Sequence, residues 1–141
     1  LYVGLSYGSK RIDYRQKDYT SVYDLEMYVM EQLTRIVKFG FGFDLVYDSN
    51  DLLRNIKNGE TWTTKQVLNP GAHVAGELLM GKTSFMFVVG KHFGEYMHTE
   101  ESYQRLGFKI DFSKHIYGKV TLMVHQWHIA DFLGFGVGFQ L

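Results

Sequence analysis

The sequence contains no cysteine. Disulfides, thiolate metal sites, a cysteine nucleophile and a lipidated N-terminal cysteine are therefore excluded within these 141 residues. A net charge of either sign is also missing: 15 Lys and Arg balance 15 Asp and Glu. No overall basic field argues for nucleic acid, and no acidic tail argues for a solvating role. Proline occurs once, at Pro70. Long hydrophobic runs are absent as well, since no stretch approaches the ~20 apolar residues of a membrane-spanning helix. That does not exclude a spanning β-strand, which buries only every second side chain in lipid and so escapes any running average. The chain opens at Leu1 and not at Met, as expected of a processed export product or a truncated chain.

What the sequence does hold is glycine, 15 residues of it, and aromatics at 16%, mostly Phe and Tyr, which favour strands over helices. These residues alternate. From Arg35 to Tyr47, Val37, Phe39, Phe41, Phe43 and Leu45 fall on one face, and Lys38, Gly40, Gly42 and Asp44 on the other. Leu106, Phe108 and Ile110 alternate with Arg105, Gly107, Lys109 and Asp111. Leu133, Phe135, Val137, Phe139 and Leu141 alternate with Gly134, Gly136, Gly138 and Gln140. Weaker versions around Leu1–Gly8, Tyr23–Val29, Gly71–Met80, Ser84–Gly90 and Lys119–His125 bring the total to eight segments, with Gly76 interrupting one apolar face.

The connections predict a topology. The first, third and fifth are long (about Arg11–Lys17, Asp48–Leu68 and Gly94–Glu101), while the second, fourth and sixth are short (Glu31–Thr34, Gly81–Lys82 and Ser113–Ile116). Only the seventh, near Trp127–Ala130, breaks the alternation. Tight periplasmic turns and longer outer loops have this asymmetry. The expected fold is all-β: one domain over residues 1–141, an eight-stranded antiparallel up-and-down transmembrane β-barrel in the bacterial outer membrane.

A soluble barrel that carries small apolar ligands is the alternative, with the same strand count and opposite polarity. Glycine argues against it. Gly4, Gly8, Gly40, Gly42, Gly107 and Gly134 share a face with Lys38, Asp44, Glu77, Lys109 and Asp111. A narrow lumen needs such small residues beside paired charges, whereas a water-facing exterior is only weakened by them. Lys38, Asp44, Arg105, Lys109, Asp111, Asp24, Glu26 and Glu77 are expected to plug the lumen as a polar network without forming a channel.

The stretch from Tyr103 to Leu141, YQRLGFKIDFSKHIYGKVTLMVHQWHIADFLGFGVGFQL, resembles the C-terminal hairpins of the PagL-type lipid A deacylases, the acyloxyacyl hydrolase-like proteins of Bacteroidota. The segment Phe39–Asp48, FGFGFDLVYD, and the spacing from Tyr19 through Tyr28 resemble them too. The most specific part is Ala130–Leu141. The resemblance implies an eight-stranded outer-membrane barrel that removes an acyl chain from lipopolysaccharide, with a Ser nucleophile, a His base and an acidic orienting residue on its outer wall. Ester cleavage requires those types: a hydroxyl to attack, an imidazole to take its proton and a carboxylate to hold the tautomer.

The resemblance places His-x-Ser on the penultimate strand and Glu on the last. Counted from the strand start, the His is His125 and the Ser position holds Trp127. Counted back from Ala130–Phe132, those positions hold Gln126 and His128. Neither register has a Ser, and Gly134 stands where Glu would sit. A catalytically degenerate barrel is therefore expected, acting as a lipopolysaccharide- or protein-binding accessory, with an active lipid A esterase as the alternative. In an active form, His125 or His128 would pair with Asp131 and activate water, or Ser84 or Ser102 would supply the nucleophile. Otherwise these histidines are interfacial polar residues beside Trp127. Lys10, Arg11, Arg15 and Lys17 are candidates for meeting lipid A phosphates. Expected partners are outer-membrane lipid and a larger outer-membrane protein complex, with no cofactor, no metal and no nucleic acid.

Overall fold

The computed structural model describes residues 1–11, 19–49, 68–93, 102–125 and 129–141. They form eight strands: β1 (Tyr2–Arg11), β2 (Tyr19–Gln32), β3 (Val37–Asp48), β4 (Leu68–Met80), β5 (Thr83–His92), β6 (Ser102–Asp111), β7 (Ile116–His125) and β8 (Ile129–Gln140). Each strand pairs antiparallel with the next, and β8 returns to β1, so the sheet closes with no free edge. Closure removes the unpaired backbone groups that would be costly in hydrocarbon. The three tight connections at residues 33–36, 81–82 and 112–115 lie at the end that also holds both termini. The expected up-and-down barrel is therefore the observed one. Gly81 takes a left-handed backbone, φ 74°, in the two-residue turn between β4 and β5, a conformation that costs glycine nothing.

Period-two alternation assigns the faces as expected. Phe41, Phe108 and Phe135 are 63%, 52% and 56% exposed, whereas Arg105, Glu77 and Lys109 are at most 2% exposed. The soluble carrier needs this arrangement inverted, and its lumen would have to be apolar and open. Here the bulky apolar face points outward around the whole wall, as a lipid-facing belt does. Gly76 also points outward, between Phe39 and Phe87 across the sheet, and leaves a gap in that belt.

Glycines on the inner face let the strands and side chains approach. A Cβ at Gly4 would lie 2.8 Å from the Tyr117 hydroxyl and 2.9 Å from Glu26 Oε1. The space so released is filled. Tyr2 and Tyr28 stack with ring centroids 4.9 Å apart, Tyr117 meets Tyr2 edge-on at 6.1 Å, and Lys109 Nζ sits 4.8 Å from the Tyr2 ring centre. An eight-stranded barrel has room for side chains and little more.

Candidate functional site

Two regions bear on function, the ionic column in the lumen and the outer wall where β7 meets β8. In the lumen, β2 supplies Asp24 and Glu26, β3 supplies Asp44, and β6 supplies Arg105 from across the barrel. Arg105 reaches Asp24 Oδ2 at 2.8 Å, Glu26 Oε2 at 2.7 Å and Asp44 Oδ2 at 3.6 Å. A planar guanidinium suits this task, because its fork presents donors to several carboxylates at once. Lys119 pairs with the other Glu26 oxygen. One level toward the short turns, Lys109 lies 2.6 Å from Glu77 Oε1, the oxygen to which Ser84 also donates.

Asp44 faces a different set. Tyr103 donates its hydroxyl to Asp44, His73 Nδ1 lies 3.4 Å from the same carboxylate, and His92 Nε2 lies 3.8 Å away. Tyr103, His73, His92 and Lys119 were not among the residues expected to form the network. Their signal was parity, since all four share a face with expected members of their strands or of the paired strands. Lys38 and Asp111 belong less to the interior than expected. Both are partly exposed near the short turns, where Lys38 donates to the Tyr2 hydroxyl at 3.0 Å. Buried ions require such partners, because an uncompensated charge away from water is costly. The column is structural: it ties β2, β3, β4, β6 and β7 together through the centre.

The outer wall near β7 and β8 contains a register break. Met123 pairs with Phe132, but Val124 pairs with Ala130, so β8 carries one extra residue there, Asp131. Such bulges bend a strand and re-aim its side chains. His125 ends β7, with its backbone in register with Tyr103 on one side and Ile129 on the other. His128 lies outside the described residues. The backbone thus brings the ends of β6, β7 and β8 together around the bulge.

The remaining candidates differ in position. Ser84 is buried in the lumen beside Glu77, so no lipid ester on the outer wall reaches it. Ser102 is exposed at the start of β6, next to Tyr103 and so at the same end of the wall as His125. Lys10 belongs to β1 and not to the first loop, and its Nζ lies 3.2 Å from Asp48 Oδ2. Arg11 is the last residue of β1, and Arg15 and Lys17 lie outside the described residues.

Residues 1–141 match the family model of the acyloxyacyl hydrolase C-terminal domain. The chain belongs to the PagL-like acyloxyacyl hydrolase family. No curated protein matches it. The family's barrels are outer-membrane proteins that act on lipid A, and the inverted polarity of this PagL-like barrel fits that setting. Among the described residues, no group of three or more His, Asp or Glu is arranged to hold a metal ion. Gly134, the position matched to the family's Glu, is buried on the lumen side of β8, in register with Thr121 and Gly8.

Proposed function

We propose that this barrel resides in a bacterial outer membrane and presents an outer wall that binds lipopolysaccharide or a larger membrane protein, without hydrolysing lipid A. The observation that carries the reading is a missing hydroxyl. None of the six histidines is followed two residues later by Ser, so the His-x-Ser pair has no counterpart in any register. A Glu at Gly134 would moreover project from the lumen face. Without the Ser that the His-x-Ser pair would supply, acyl transfer loses the family's attacking hydroxyl. Arg11, Arg15 and Lys17 supply the cations that would meet lipid A phosphates, with charge-assisted hydrogen bonds as the chemistry.

The test is mass spectrometry of lipid A from a Gram-negative host expressing the chain, with a heat-modifiable gel band as proof of a folded barrel. The expected spectrum is unchanged. Loss of one acyl chain overturns the degenerate reading, and its persistence in a His125→Ala/His128→Ala variant would then remove those histidines as the base. Binding is tested separately: an Arg15→Glu/Lys17→Glu variant should retain less lipopolysaccharide on affinity resin than the unaltered protein.

A further inference from the structure

The outer wall is not uniformly convex. Across β6, β7 and β8, one row reads Phe108, Val120, Phe135 and the next reads Ile110, Gly118, Val137. Gly118 is the one position in these two rows without a side chain. The resulting furrow has a volume of about 520 Å³ and continues toward Leu5 and Tyr7 on β1, within the ~300–1,000 Å³ range of ligand pockets. Phe112 leans over its lower end: a Cβ at Gly118 would lie 2.8 Å from the Phe112 ring. From that end the furrow rises across the wall to Tyr7 on β1 and Tyr23 on β2, and His125 and the β8 bulge lie outside its lining.

Its lower end meets the turn at residues 112–115, where Lys114 is exposed. Asp111 ends β6 just before this turn, whereas Arg35 and Lys82 sit on the other two short turns, away from the furrow. An apolar furrow ending at a cation in the headgroup layer matches one chemistry, a hydrocarbon chain attached to a phosphate. We propose that the furrow seats one acyl chain of a phospholipid from the leaflet facing the short turns, with its phosphate held at Lys114. This rests on the outer-membrane reading above, and it assigns a second lipid site distinct from any lipopolysaccharide contact at the long-loop end. A second copy of the chain is the competing occupant, and the experiment separates the two.

The experiment uses the full chain refolded in detergent. Insertion into vesicles of phosphatidylethanolamine and phosphatidylglycerol, read by heat-modifiable mobility, tests the membrane reading by itself. Native mass spectrometry with dipalmitoyl phosphatidylglycerol then tests the furrow. The unaltered protein is expected to keep one lipid, and Gly118→Leu and Lys114→Glu each to weaken retention at least tenfold. Arg35→Glu, a charge reversal on a turn remote from the furrow, should leave retention unchanged. The Lys114 variant alters only an exposed turn, so it remains informative if Gly118→Leu fails to fold. A folded, inserted barrel that keeps no lipid overturns the proposal. So does one that loses lipid equally in all three variants, or that instead forms dimers abolished by Gly118→Leu.

Discussion

Replacing Arg105 by Met tests whether the lumen is the dry ionic plug that its geometry describes. Arg105 approaches Asp24, Glu26 and Asp44 at 2.8, 2.7 and 3.6 Å, and all four side chains are buried. Met keeps much of the length and removes the charge. Glu26 then retains Lys119, but Asp24 loses its ion-pair partner. Leaving a buried ion unpaired costs about 3–5 kcal/mol, or roughly two to four decades in the folding equilibrium at about 1.4 kcal/mol per decade. Urea titration in lipid vesicles, with the folded fraction read from heat-modifiable mobility, measures this loss directly. Adding Asp24→Asn should restore part of the lost stability, because it removes the charge that was stranded. A loss below about 1 kcal/mol for Arg105→Met would show that water screens the column, and the plugged-lumen argument would fail.

Two further substitutions probe the wall. Phe41→Arg places a charge in the middle of the apolar belt and should cost about 2–4 kcal/mol, against about 0–1 for Leu33→Arg at the short-turn rim; equal costs in the same urea assay would contradict the assigned depth. Gly40 and Gly76 separate the two faces of the sheet. A Cβ at Gly40 would lie 2.8 Å from the Met30 Cα, whereas at Gly76 its nearest neighbour is 3.9 Å away. Gly40→Ala should therefore lose about 1–3 kcal/mol, while Gly76→Ala should be neutral or stabilise by up to about 1 kcal/mol. The reverse ranking would place Gly40 outside.

The wall was legible because lipid and lumen impose opposite demands on successive residues. Phe39–Leu45 and Leu133–Phe139 satisfy both demands without exception, so the faces could be assigned before any pairing was known. Which ion meets which was not legible. Asp24 and Arg105 sit on β2 and β6, which are not neighbours, and their contact depends on the angular position of strands around a closed barrel. The same holds for Asp44 with His73, His92 and Tyr103: parity places each on the inner face, but only the register stacks them at one level.

The region around His125 was ambiguous for a different reason. Counting forward along β7 puts the family's His at His125, and counting back from Phe132 puts it at Gln126, a disagreement of one residue. The bulge adds one residue, Asp131, between the partners of Met123 and Val124. A count back from Phe132 crosses that inserted residue, whereas a count forward along β7 does not. Such an insertion reverses the parity beyond it, but only Ile129 and Ala130 precede Asp131 in β8, too few for the reversal to show in the sequence. The two registers share one feature that no displacement alters: neither finds a hydroxyl. The degenerate reading thus rests on the residues that follow the histidines, and not on the choice between registers.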